Sequence, residues 1–251
     1  MSAPVALVTG ATSGIGRAVA VRLAADGFRV LAGGRDPARG ARTVADCQAA
    51  GAEAEFRPFD VTDEAAWAEV MEDIATRLGR LDALVNSAGV FFARPLDATT
   101  PADFRHLWRV DVESVFLGTK WALRTMRRTR SAGVIVTVSS LAGLVGLEDC
   151  SAYGPAKAAV THFSRIAAVE GGTLDPPVRV VSVNPGVILT EMITSAYGTG
   201  PEVLAFAKEG NALDLAGEAR HVADAVGFLC SPRARMITGV AFAIDGGRGA
   251  D

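Results

Sequence analysis

Cysteine, histidine and aromatic residues are all scarce in this chain. Its three cysteines, Cys47, Cys150 and Cys230, stand far apart with no CxxC pair and no Cys/His ligand spacing. That excludes a disulfide framework and makes reduced thiols in a cytoplasmic protein the expectation. The three histidines, His106, His162 and His221, gather no set of carboxylate or cysteine partners at ligand spacing, so no metal is expected. No run is long and apolar enough to span a membrane. The start, MSAPVALVTG, lacks the cationic, apolar and cleavage regions of a signal peptide. Positive charge is not in excess either: the formal charge of -3 and pI near 5.7 offer nothing to nucleic acid or an anionic membrane surface. The one basic cluster, RRTR at 127–130, reads as a solvated helix end.

What the chain does have is 251 residues, 49% of them hydrophobic and 21% charged, enough for a sizeable core in one large α/β domain or two small ones. Short apolar runs alternate with stretches of helical periodicity, which means βαβ units. Strands are expected at 5–10, 29–34, 53–61, 81–89, 133–140, 178–186 and 239–247. Helices are expected at 14–25, 37–50, 63–78, 100–128, 151–170 and 218–230. Several strand segments are apolar on successive residues, as parallel strands buried on both faces must be. No repeat, low-complexity tract or linker divides the chain, so one domain over 1–251 is expected. The segment 187–217 is broken by Gly198, Gly200, Pro201 and Gly210 after a strand end, and is a candidate mobile lid over a site.

The stretch TGATSGIGRA (9–18) follows the first strand and opens the first helix. Gly10 permits a tight turn, Gly14 a close backbone approach to phosphate, and Gly16 close helix packing, with the helix N-terminus facing the anion. A glycine-rich turn serving packing alone is the competing reading. Further along, SAYGPAK (151–157) sets Tyr153 and Lys157 four apart, on one face of a helix. An ordinary surface pair and a proton donor with its tuning cation share that spacing. A phenol ionises near ~10, so exchange at neutral pH needs a nearby positive charge.

Six motifs in order resemble the short-chain dehydrogenase/reductase family: TGxxxGxG at Thr9 to Gly16, NxAG at Asn86-Ser87-Ala88-Gly89, Ser140 thirteen residues before the tyrosine, YxxxK at Tyr153 and Lys157, PGxxxT at Pro185-Gly186 to Thr190, and the terminal Asp245-Gly246-Gly247. They span essentially the whole chain. The resemblance implies a Rossmann-type, doubly wound, parallel seven-stranded sheet with helices on both faces. It also implies NAD or NADP, held by Gly10, Thr12, Ser13, Gly14, Ile15 and Gly16 at the pyrophosphate. Asp60 and Val61 would contact the adenine. Asn86, Ala88, Gly89, Tyr153, Lys157, Pro185, Gly186, Ile188 and Thr190 complete the cofactor set. The acid that selects NAD in the family would fall at Gly34, where it is absent, while Arg35 offers a planar fork to a 2′-phosphate. NADP(H) is therefore favoured over NAD(H), with Asp36 the residue that argues the other way.

Hydride transfer to a ketone builds negative charge on the carbonyl oxygen, which calls for a proton donor and a second hydrogen bond. By resemblance Tyr153 is the general acid and base, Ser140 positions the substrate oxygen, and Lys157 depresses the tyrosine pKa and binds the nicotinamide ribose. The neighbouring Ser139 reads as a strand-end hydroxyl satisfied by backbone. The family's fourth residue, an asparagine, is replaced by Asp111 within VDVESVFLG. Asp111 is kept in the catalytic set as a proton-relay member, with the expectation that its charge competes for Lys157.

An apolar wall of Val90, Phe91, Phe92, Leu141, Leu144, Val145, Leu147, Cys150, Val187, Met192, Tyr197 and Phe206 suits a small hydrophobic ketone or secondary alcohol, cyclic or aromatic. Two rivals stand beside that substrate. One is a 3-ketoacyl-(acyl carrier protein) reductase using Arg127, Arg128 and Arg130 as its docking patch. The other is a nonenzymatic cofactor-sensing binding protein, which would not need Ser140, Tyr153 and Lys157 together. The family also implies a homotetramer.

Overall fold

Seven parallel strands form the centre of the molecule in a computed structural model that describes residues 2–250; Met1 and Asp251, the ends of the expected domain, lie outside the described residues. The elements run β1 (Val5–Val8), α1 (Gly14–Ala25), β2 (Arg29–Gly34), α2 (Pro37–Ala49), β3 (Ala54–Pro58), α3 (Glu64–Asp73) and β4 (Ala83–Asn86). They continue as α4 (Pro101–Trp108), α5 (Ser114–Thr129), β5 (Val134–Val138), α6 (Tyr153–Gly172), β6 (Arg179–Pro185), β7 (Ile188–Leu189), α7 (Glu191–Tyr197), α8 (Pro201–Lys208), β8 (Gly217–Glu218), α9 (Ala219–Cys230) and β9 (Ala241–Ile244). The sheet order is β3-β2-β1-β4-β5-β6-β9, so the direction of winding reverses between β1 and β4, where this architecture opens a crevice at the strand ends.

Strand alternation divides the core in two. Ala6 and Val8 of β1 point to one face and pack with Val19 and Leu23 of α1 and Val222, Val226 and Leu229 of α9. Val5 and Leu7 point to the other face, with Trp67 and Met71 of α3, Met126 of α5 and Ala167 of α6. Both faces are covered, which is why successive strand residues are apolar. Each fully buried aliphatic side chain contributes roughly 1.5–3 kcal/mol.

The expected seven strands and six helices are present, and two helices differ in shape. The segment expected as one helix over 100–128 is interrupted by a wide π-type turn, Arg109–Glu113, between α4 and α5. The Ser114 hydroxyl donates back to the Val110 carbonyl there. A similar turn, Ile74–Leu78, ends α3 before Gly79 at φ 71°. The capping signals act as read: Asp63 accepts from the N–H groups of Ala65 and Ala66, and Thr100 forms a capping box with Asp103. The 187–217 segment is largely structured, with α7, α8 and a two-strand pairing of β7 with β8. At 127–130, Arg128 pairs with Glu72 and Arg130 with Asp175, in line with a solvated helix end.

Candidate active site

A cleft of about 600 Å³ runs along the carboxyl ends of the strands across the β1/β4 crevice. At its centre the β1–α1 loop is drawn tightly against its neighbours. Gly10 sits at φ +64°, and a Cβ there would lie 2.8 Å from the Ala88 backbone. A Cβ on Gly16 would lie 2.3 Å from the Gly10 carbonyl oxygen. Thr9 fastens the two loops, its hydroxyl accepting from the N–H groups of Ser87 and Ala88 at 3.1 and 3.2 Å. Ser13, the N-cap of α1, makes no side-chain capping bond, and the first turn of that helix has no acidic residue. The helix N-terminus therefore stays open to an anion, and the cradle fits a pyrophosphate.

The β2 end of the cleft is rich in cations. A Cβ at Gly34 would fall 2.6 Å from the Thr12 methyl, so a side chain there would require Thr12 to shift. Arg35, Arg39 and Arg109 all border the cleft. Asp36 is occupied as the N-cap of α2, accepting from the Arg39 N–H at 3.1 Å. Asp60 accepts from both the N–H and the hydroxyl of Thr62, each at 2.9 Å. The Thr62 N–H, with help from the Thr62 hydroxyl, Arg35 and Arg109, holds the Asp60 carboxyl below the usual aspartate range. Val61 borders the cleft while its carbonyl accepts from Trp67.

At the other end, β5 delivers Ser140, the start of α6 delivers Tyr153 and Lys157, and the π-type turn swings Asp111 inward. The Lys157 ammonium stands 5.4 Å from the Tyr153 ring centroid, donates to the Val138 carbonyl at 3.2 Å, and lies 2.9 Å from Asp111 Oδ2. Asn184 donates to the Ser140 carbonyl at 2.9 Å and to the Thr161 hydroxyl at 3.1 Å. Ser139 donates to the Lys157 carbonyl at 2.8 Å and is paired with Thr161, so its hydroxyl is consumed by structure. Phe91 sets its ring against Tyr153, edge to face, with centroids 4.9 Å apart.

A family model described as enoyl-(acyl carrier protein) reductase matches residues 10–248. Cyclopentanol dehydrogenase of Comamonas sp. is 35% identical over 97% of this chain and 96% of its own. The chain is a short-chain dehydrogenase/reductase. Other members include an NADP-dependent (R)-specific alcohol dehydrogenase of Lentilactobacillus kefiri, 30% identical over 97% of this chain and 95% of its own. A solved structure of 7α-hydroxysteroid dehydrogenase with NADH and 7-oxo glycochenodeoxycholic acid superposes with a TM-score of 0.89 at 30% identity, over 97% of this chain and 93% of that one. This short-chain dehydrogenase/reductase is accordingly an NAD(P)-dependent oxidoreductase that moves hydride between a nicotinamide cofactor and a carbinol or carbonyl carbon. The nonenzymatic sensor alternative is set aside.

Every residue expected at the cofactor and catalytic sites borders the cleft except Asn86. Asn86 is buried beneath it, its amide donating to Thr119 at 3.3 Å, because β4 ends one residue before the loop reaches the opening. The effect of Lys157 on Tyr153 has the expected direction but is outweighed. Burial raises the Tyr153 pKa most, Lys157 lowers it and Asp111 raises it again, so that it stands above the ordinary tyrosine value. The apolar wall divides as well, since Val90 and Met192 border the main cleft while Leu144, Val145, Leu147 and Cys150 line a separate hollow of about 550 Å³. Arg39, Arg109 and His106 border the cleft unforeseen. Arg39 lies in the first turn of α2, just past the loop that carries Arg35. Among the described residues no group of three or more histidine, cysteine or carboxylate side chains is arranged to hold a metal ion, and no helix is long and apolar enough to cross a membrane.

Proposed function

We propose that this enzyme interconverts a hydrophobic, preferably cyclic, ketone and its secondary alcohol with NADP(H), using Ser140, Tyr153 and Lys157. The observation that carries the reading is the convergence of those three side chains at one end of a cleft whose centre is a glycine-lined helix N-terminus. When bound, the nicotinamide supplies or accepts the hydride. The chain's own residues handle the proton and the oxygen. The Tyr153 hydroxyl gives its proton to the carbonyl oxygen as charge develops there, or recovers it in oxidation. Ser140 donates a second hydrogen bond to the same oxygen. Lys157 holds the nicotinamide ribose and supplies positive charge beside the phenol. Phe91, Val90 and Met192 offer an apolar surface to the substrate, and the cyclic alcohol and oxo-steroid substrates in the names of the relatives support that class.

Arg35 at the β2 end, with Asp36 committed to capping α2, supports NADP(H) over NAD(H), and Arg39, paired with Glu191 at 2.8 Å, stands beside it. Exposed Phe116, Ile166 and Val169 on α5 and α6 support burial of that face in a homotetramer. Free, unpaired Cys47, Cys150 and Cys230 support a reducing, cytoplasmic setting. The test is a panel of cyclic ketones, their alcohols and one acyl thioester, followed at the nicotinamide absorbance with each cofactor. Turnover confined to the thioester would overturn the substrate class. The reading as a 3-ketoacyl reductase is disfavoured because Arg128 and Arg130 are already paired with Glu72 and Asp175.

A further inference from the structure

Asp111 is 0% exposed, and Lys157 only 5%. Burying either charge alone is costly, so each is tolerable because the other is there. One carboxylate oxygen, Oδ1, accepts from the Val90 N–H at 2.8 Å, and the other lies 2.9 Å from the Lys157 ammonium. The side chain thus spans from the loop that follows β4 to the second turn of α6. A Cβ on Gly89 would come within 3.0 Å of Oδ2, so the carboxylate is packed directly beneath the cofactor loop. The Lys157 ammonium gives one proton to the Val138 carbonyl and lies at ion-pair distance from Asp111, which leaves donor capacity for the cleft.

We propose that Asp111 is a positioning residue that clamps Lys157 to the Val90 loop and draws the lysine's charge away from Tyr153, setting the site toward proton donation and therefore toward carbonyl reduction at neutral pH. The overall equilibrium between ketone and alcohol is untouched; what moves is the pH at which the phenolate needed for oxidation becomes available. The groups facing the phenol act in two directions. Burial, Asp111 and Cys150 disfavour its ionisation, while Lys157 and the Ser140 hydroxyl favour it. Burial also works against the charged Lys157, but Asp111 and Tyr153 more than offset it, so the lysine stays cationic. This inference rests on the assignment of Tyr153 as acid and base, yet it is testable without turnover.

The chain has two tyrosines, Tyr153 and Tyr197. Subtracting the near-ultraviolet tyrosinate titration of Tyr153→Phe from that of the parent isolates Tyr153, read on the folded chain shortly after a pH jump. The parent midpoint is expected above the ordinary value of ~10. Asp111→Asn keeps an oxygen for the Val90 N–H and removes only the charge. It should lower the midpoint by about one pH unit, the smaller end of what a charge at this range does, and shift the rising limb of alcohol oxidation equally. A merely structural role for Asp111 would leave the midpoint where it was, and superimposed titrations would overturn the proposal. If Asp111→Asn fails to fold, Asp111→Ser takes its place, with the same fall in midpoint expected and an unmoved midpoint overturning the proposal. A shifted midpoint in a protein inactive toward every ketone and alcohol would uphold the tuning and sink the proposed function instead.

Discussion

Replacing Gly16 with alanine tests the cofactor cradle at its tightest point. The added Cβ would stand 2.3 Å from the Gly10 carbonyl oxygen and 2.7 Å from its carbon, where side chains essentially never approach closer than 3.0 Å. The contacts are backbone, so no rotamer change relieves them; the β1–α1 loop must move by roughly 0.7 Å away from the α1 N-terminus. Overpacking of this kind costs about 1–3 kcal/mol. Gly10 is itself pressed against the Ala88 backbone and Thr9 is bonded to Ser87 and Ala88, so the displacement spreads across both walls of the crevice. Cofactor affinity should therefore fall by about tenfold to a hundredfold, since about 1.4 kcal/mol is a factor of ten. Calorimetric titration with NADP(H), alongside thermal unfolding, measures both quantities. Gly172→Ala is the control, because a Cβ at the end of α6 meets nothing within 4 Å. A Gly16→Ala variant that kept parental affinity and parental melting temperature would refute the cradle as described.

Arg35→Ser, and more so its combination with Arg39→Ser, should lower kcat/KM with NADP(H) by about tenfold or more per lost bidentate phosphate contact while sparing NAD(H); equal losses with both cofactors would show that neither arginine reads the 2′-phosphate. The thiols should be inert in the folded chain. Burial is the largest cause lifting Cys47 to about 11 and Cys230 to about 12, and it raises Cys150 as well. Iodoacetamide near neutral pH should therefore label the folded chain slowly and the urea-unfolded chain fully, and a rapid stoichiometric reaction of the native protein would contradict the buried placement.

The sheet was legible because parallel strands buried on both faces write themselves as apolar runs, VALV and RVVSV among them, and because Asp63 and Thr100 mark helix starts by their capping chemistry. The site was legible where a single residue type has a single use: glycine at a crowded turn, tyrosine and lysine four apart. The break at Arg109–Glu113 was not, since VDVE carries no proline or glycine to announce it; tertiary packing selects the wide turn. Its consequence, the meeting of Asp111 and Lys157 across 46 positions of chain, is likewise absent from local sequence. The place of Asn86 behind the cleft lining was hidden for a related reason. A motif residue can serve by holding the strand end from beneath, as its bond to Thr119 does, and spacing alone does not distinguish that from facing the ligand.

The most direct test of the account is Tyr153→Phe. The substitution removes one hydroxyl and leaves the ring that packs against Phe91 and lies beside Lys157. Turnover of a cyclic secondary alcohol and of its ketone should fall by ~10²–10⁴-fold, the usual loss when a positioned acid–base group is deleted, while titration with NADP(H) gives near-parental affinity. A Phe variant retaining more than about a tenth of parental kcat would mean that the proton moves through another group, and the assignment of this site would be wrong.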